Sequence, residues 1–473
     1  MMDGLECKEI RRSELERTMR IDSEFYSKSA ITISNMLQLR NHNLLTTFVD
    51  VSDGNHMGIS DHFIDEGIPY YRGQDAGSFF IENSHPICID KATFNLPVMK
   101  RSHLKKGDIL LSIVGTIGSL SLVYSDRSAT CSCKLAILRP KHAKDAELLA
   151  TFLMCKYGQE QISRYTRGAV QKGLILEDMD QLVVPAMGEG VIYTIKNTIW
   201  KAYQFQEKAN KCYDEAQAIL MSELGFALPQ VSSSISVELY SNSLEKVGRL
   251  DAEYYQPQYD ALFETLSKFN CDKLGGANGL VNITKSIEPG RESYSEEGIP
   301  FVRVSDVNKF EISDPEIKLC SNILPNPEVL FPQKDTILLS KDGSVGIAYK
   351  VETPMSVITS GALLHLNIRD KSEVLPDYLT LVLNSPIVQL QAERDSNGAI
   401  IQHWKPSEIE NVIIPVLDMG IQKGIAAKVQ ESFALRKQSK QLLEYAKQMV
   451  EMAIEQGEGV ALKWLKDKIP VEV

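Results

Sequence analysis

The chain has 473 residues, 43% of them hydrophobic and 24% charged, which is the composition of an ordinary folded protein and too much length for one core. No apolar run reaches the length of a membrane span, and the opening stretch MMDGLECKEIRRSELERTMRID is too charged for a signal peptide, so a cytoplasmic protein without membrane contact is expected. A net charge of −11 and a pI near 5.4 argue against a uniformly basic surface, leaving only a local basic patch for any nucleic-acid partner.

In chain order, the same segments occur twice, each about 230 residues apart. Arg20-Ile21-Asp22-Ser23-Glu24-Phe25-Tyr26 is echoed by Arg249-Leu250-Asp251-Ala252-Glu253-Tyr254-Tyr255. GIPYYRGQDAGSFFI from Gly67 is echoed by GIPFVRVSDVNKFEI from Gly298. GDILLSIVGTIGSLSLV from Gly107 matches KDTILLSKDGSVGIAYKV from Lys334, aligning Ser112, Gly115 and Gly118 with Ser340, Gly343 and Gly346. GAVQKGLILEDMDQLVVP from Gly168 matches GAIIQHWKPSEIENVIIP from Gly398. Four matches in one order make the chain a tandem duplication.

Within each copy, Ile109–Val114 and Thr336–Ser340 are apolar β-branched runs bounded by Gly, Asp and Asn, which predicts short strands. The G-x-x-G after each predicts a hairpin-like turn and not a phosphate loop, because no helix follows it. Of the eight cysteines only Cys131 and Cys133 are close, and no second Cys/His pair completes four zinc ligands. Reduced thiols and no metal are expected.

Each copy then runs into a long stretch without proline, after Pro185 and after Pro415, closed by Gly225 and Gly457. In the first, Ile192, Ile195, Ile199, Ala202, Gln206, Ala209, Tyr213, Ala216 and Leu220 alternate steps of three and four, a heptad seam. The second carries Ile421, Lys428, Leu435, Leu442 and Met449, with Ile425, Ser432, Ser439, Ala446 and Ala453 between them. The residues expected to pair the helices are Ile195, Ile199, Ala202, Ala209 and Leu220 with Ile425, Leu435, Leu442 and Met449. At 1.5 Å per residue such a helix spans roughly 55 Å.

The expected fold is therefore α+β: two similar mixed α/β domains separated by two long helices that pair as an antiparallel coiled coil. The boundaries are 1–187 for the first module, 188–228 for its helix, 229–418 for a linker and the second module, and 419–473 for the second helix and a tail. Two related but divergent readers on a spacer suit a two-part ligand, and equivalent faces of B-DNA recur about every 34 Å.

Candidate DNA contacts in the first copy are Arg72, Lys100, Arg101, Lys105, Lys106, Arg164, Arg167, Gln171 and Lys172. In the second they are Lys285, Arg291, Arg303, Lys341, Gln402, His403 and Lys405, more diluted by acids. Basic side chains meet phosphates, and an amide such as Gln171 or Gln402 can read adenine.

No Asn/Asp-Pro-Pro-aromatic methylation motif is present, and Leu324-Pro325-Asn326-Pro327 does not fit one. Asp306 with Glu316-Ile317-Lys318 suggests a nuclease only weakly, since acid-x-base triplets arise by chance in a chain with 62 acids and 51 bases. No catalytic residue is assigned. A two-module protein-binding scaffold fits the repeats equally well.

From about residue 20 to 457, the ordered, duplicated set R-(I/L)-D-x-E-(F/Y)-Y, G-I-P-(F/Y), I-L-L-S with G-x-x-G, G-A with its closing proline, and a long helix resembles the specificity subunit of Type I restriction-modification systems. The resemblance implies two target recognition domains reading the halves of a bipartite double-stranded DNA target. It implies that the paired helices act as a ruler and dock two modification subunits, which carry S-adenosylmethionine and methylate adenine. Restriction subunits would join to cleave, and this chain would hold no cofactor. A related Type II arrangement, with methyltransferase and nuclease fused in one partner, stays open.

Overall fold

The computed structural model describes residues 9–12, 15, 19–84, 86–168, 172–226, 235, 237–323, 325–398 and 402–469. The chain divides into two units, one made of residues 1–206 with 437–473 and the other of residues 207–436.

In the first unit the strands are β1 (His42–Leu44), β2 (Val49–Asp53), β3 (Phe63–Ile64), β4 (Ile68–Tyr71), β5 (Ile87–Ile89), β6 (Ile109–Ser112), β7 (Leu120–Leu122), β8 (Thr130–Cys131), β9 (Leu135–Pro140) and β10 (Val183–Pro185). An antiparallel sheet has the order β2-β9-β6-β7, and a second sheet the order β3-β5-β4-β8, in which β4 and β8 run parallel. Every residue of β6 is buried, as an unbroken run of Ile-Leu-Leu-Ser requires of a central strand. β1 pairs with β10, His42 opposite Pro185, so the first and last strands of the module are neighbours.

The second unit repeats this strand for strand: β11 (Cys271–Lys273), β12 (Val281–Lys285), β13 (Tyr294–Ser295), β14 (Ile299–Val302), β15 (Lys318–Leu319), β16 (Ile337–Ser340), β17 (Asp342–Gly343), β18 (Ala348–Lys350), β19 (Ile358–Thr359), β20 (Leu363–Ile368), β21 (Gln402–His403) and β22 (Ile413–Pro415). The sheets are β12-β20-β16-β18, β13-β15-β14-β19 and β11-β22, with β17-β21 added. The predicted hairpin turns join β6 to β7 and β16 to β18.

The residues that recur between copies hold this scaffold. Arg20 donates to the Arg164 carbonyl at 3.1 Å, and Arg249 to the Asp395 carbonyl at 3.0 Å, each tying its leading segment to the end of a helix. Gln161 makes a two-way bond with the Val183 backbone at 2.8 and 3.0 Å, and Gln391 does the same at Ile413 at 2.8 and 2.9 Å. The second glycine of each G-x-x-G, Gly118 at φ +86° and Gly346 at φ +85°, has Gln159 or Gln389 within about 3 Å of where a Cβ would stand. Those glutamines donate to the glycine carbonyls at 3.1 and 2.8 Å.

The long helices are Glu189–Glu223 and Met419–Gln456, and the boundary between the units falls within both. In the first unit, Ile195, Ile199 and Ala202 are buried in one core with Leu442, Ala446 and Met449. Ser439 donates to the Ala202 carbonyl at 2.7 Å, and the Gly188 amide donates to Glu458 at 2.9 Å. In the second unit, Ala216 and Leu220 share a core with Ile425, and Ala209 and Leu435 are also buried. There Ser432 donates to the Ala209 carbonyl at 2.7 Å and Lys428 pairs with Glu215 at 2.5 Å. In each unit one residue number rises as its partner's falls, so the pairing is antiparallel. Gly457 ends the second helix at φ +97°, and a further helix, Glu458–Lys468, sets Ala461 and Leu465 into the core of the first unit. No helix among the described residues is long and apolar enough to cross a membrane.

Candidate nucleic-acid interface

Each unit presents one loop whose base is pinned to the turn after its central strand. In the first unit, Arg167 and Gly173 exchange backbone bonds at 2.9 and 2.7 Å, and the Leu174 amide donates to the Ile113 carbonyl at 3.0 Å. In the second, Asn397 and His403 exchange bonds at 2.9 and 2.7 Å, and the Trp404 amide donates to the Lys341 carbonyl at 2.8 Å. Both loops leave through a glycine at positive φ, Gly168 at +120° and Gly398 at +125°, which explains why the G-A motif recurs. Gln171 lies outside the described residues, as do 169–170 and 399–401.

In the second unit the loop brings together Lys341, Asp342, Gln402 and His403. The His403 ring meets Asp342 through Nδ1 at 2.8 Å, and Lys341 pairs with the same carboxylate. Burial works to raise the Asp342 carboxyl, but the hydrogen bonds from Lys341 and His403 outweigh it and hold the group below its ordinary value. A carboxylate can only accept, so Nδ1 carries the proton and the exposed ring keeps Nε2 for a ligand. Gln402 is exposed on β21, fixed in register opposite Gly343.

In the first unit Lys100 and Arg101 lie on the turn Pro97–Ser102, followed by Lys105 and Lys106, and all four are exposed. Arg101 pairs with Asp53, which also accepts from His56 at 2.6 Å. Lys106 lies 3.9 Å from Asp126 and over the Tyr124 ring. Arg72 and Arg303 occupy equivalent half-buried positions, 3.4 Å from Asp75 and 3.6 Å from Asp306. Arg167 pairs with Asp178, Lys172 with Glu24 at 3.5 Å, Lys285 with Glu288 at 4.0 Å and Lys405 with Glu408 at 3.3 Å. Lys100, Lys105 and Arg291 form no ion pair with a described residue.

One candidate is corrected. Arg164 is 7% exposed, donates to the Phe25 carbonyl at 3.0 Å and to Ser34 at 3.2 Å, and stacks on Phe25. It is a scaffold residue that no phosphate can reach. Arg167 is accessible, but the concavity of about 320 Å³ beside it is also lined by Glu177, Asp178 and Asp180, which repel phosphate.

The sequence reading missed the carboxylates. Asp53 and Asp342 orient the nominated bases, and the only signal in the chain was an acid directly after Lys341. An exposed ion pair is worth about 0.2–1 kcal/mol, so a phosphate can displace such an acid at little cost. The described cysteines are unpaired, with Cys131 fully buried, and no group of three or more His, Cys, Asp or Glu among the described residues could hold a metal.

No family model matches the chain, and no curated protein matches it. Among solved structures it is similar to the S subunit of a Type-I restriction-modification system from M. genitalium, at 15% identity and a TM-score of 0.35, over 90% of this chain and 95% of that one. It is similar to the HsdS subunit from Thermoanaerobacter tengcongensis at 14% identity and 0.28, over 88% and 97%. A chain from a structure of the assembly and conformational transition of the type I R-M system gives 14% and 0.29, over 87% and 98%.

Proposed function

We propose that this chain is the DNA-reading specificity subunit of a Type I restriction-modification complex, with each unit reading one half of a bipartite duplex. The observation that carries the reading is the division of labour within the duplication. Residues shared between the copies, such as Arg20 and Arg249 or Gln161 and Gln391, hold the scaffold. The loops pinned beside β6 and β16 carry different side chains on that common frame, Arg167 and Lys172 in one and Asn397, Gln402 and His403 in the other. Two frames with unlike reading loops suit two unlike half-sites.

On this reading the paired helices scaffold two modification subunits and set the length of the unread spacer. S-adenosylmethionine and the restriction activity belong to the partners, and this chain supplies no catalytic group. The acids beside most of the basic candidates favour one second reading, a protein-binding scaffold with no DNA partner.

A single experiment separates the two. The full chain with its methyltransferase partner is titrated against duplexes by fluorescence anisotropy, the target being taken from methylome sequencing with and without the chain. Preference for one bipartite duplex over its scrambled version, with affinity falling steeply as salt rises, is expected. Equal binding to both, or binding indifferent to salt, sinks the DNA reading and leaves the scaffold.

A further inference from the structure

Lys309 and Arg436, both in the second unit, are desolvated cations without a counter-ion. Lys309 lies in the turn between Val307 and Ile312, its Nζ 5.0 Å from the Phe310 ring centre and 5.3 Å from that of Tyr213. Arg436 lies flat on Phe310, with Cζ 3.5 Å from the ring centre, and donates to Asn210 at 2.7 Å. Its Nε is buried and bonds to no described residue. Neither cation forms an ion pair with a described residue, in contrast to Arg101, Arg167, Lys285, Lys341 and Lys405. Burial pushes both groups below their ordinary values, and each feels Asp214 only as a distant charge.

The fold does not need this pair. At the aligned positions the first copy has Ser78 and Gln206, both neutral, while the aromatic contact persists as Phe80 with Tyr203 in one unit and Phe310 with Phe433 in the other. Two cations held together on an aromatic plate, with an unused guanidinium edge, are matched by a planar anion that supplies two oxygens.

We propose that Lys309 and Arg436 form a receptor for a carboxylate side chain of a partner protein that docks on the second unit. A carboxylate carries a single charge. Duplex DNA would bring a row of phosphates, one charge per about 1.7 Å of axis, against Asp214 and Glu311 beside the pair. That the carboxylate belongs to a protein partner rests on the scaffolding reading given above, whereas the receptor rests on the geometry alone. Because Ser78 and Gln206 replace the pair in the first copy, the two docking positions are unequal.

The test uses the full chain and the variant Lys309→Ser/Arg436→Gln, which copies the first unit. Melting is followed in acetate and in chloride at equal ionic strength. The wild type gains a few degrees more in acetate than the variant does; equal responses overturn the receptor. With the co-expressed methyltransferase, the variant binds one of its two copies about tenfold or more weakly, the scale of losing one side of a buried charge pair. Unchanged binding of both copies overturns the assignment to a partner, as does a variant whose only loss is salt-dependent DNA affinity. If the wild type captures no methyltransferase, the scaffolding reading fails and the partner source with it, while the acetate comparison still decides the receptor. Lys309→Ser alone leaves the Arg436 stack in place and shows the same direction should the double variant not fold.

Discussion

At position 365 the second unit buries a histidine where the first has Ile137, and the aligned neighbours are Thr359 and Cys131. Thr359 and the His365 ring are 2.8 Å apart, and burial lowers the imidazole to about 4. A folded-state value below the free one means that stability is intact above about pH 6.5 and is lost as pH falls toward 4. His365→Ile with Thr359→Cys, the first unit's own solution, should therefore shrink the drop in melting temperature between pH 7.5 and pH 4.5. An undiminished drop would place the acid sensitivity elsewhere. The same exchange of one solution for another occurs where Arg139 grips the buried Asp108 at 2.6 and 2.7 Å, since the aligned pair is Thr336 and Asn367 at 2.9 Å. The repeat made these positions comparable in the sequence. It could not show that they touch, because the partners lie on strands joined by long connections. Arg164 was misread for a related reason: its charge is visible in the sequence, and the Phe25 and Ser34 that enclose it are about 130 residues away.

The long helices were legible because heptad spacing is written in consecutive residues, and all of the seam from Ile195 to Leu220 is buried as expected. Spacing did not reveal why the second seam alternates large residues with small ones. Ser432 and Ser439 each donate to a carbonyl of the facing helix, a contact open only to a short side chain between closely approaching backbones. Ser439→Leu should overpack the first unit and cost about 1–3 kcal/mol, seen as a lowered melting temperature, whereas Ser439→Ala should cost about 1 kcal/mol or less. A charged residue at Ile199 or Leu442 should do more harm than either. Leucine tolerated at 439 would mean that the helices stand farther apart than these bonds allow. The helix after Gly457 escaped the sequence reading, because the stop signal was taken as the end of order.

For the whole molecule, the acidic total and the basic candidates are two sides of one arrangement, since nearly every nominated cation is matched with a carboxylate of its own unit. The duplicated fold could be read from recurrence alone; which side chains meet a ligand could not, because that depends on the loop tips and on partners outside the chain. Removing one heptad from each long helix, taken opposite each other, takes out about 10 Å of helix, so the spacer of the preferred target should shorten by about three base pairs. Methylome sequencing of cells carrying the shortened chain measures this, and an unchanged spacer would deny the helices that role.

The neighbouring strands β1 and β10, and likewise β11 and β22, have a consequence for descent. Everything that could confer a target lies between two adjacent points of the chain, and the helices lie outside them. Recombination at those two points would import a foreign module with its own loop and core, leaving the inherited helices and whatever they bind untouched. One lineage could then change its sequence preference in a single crossover, without the slow, residue-by-residue drift that a single fused core would impose.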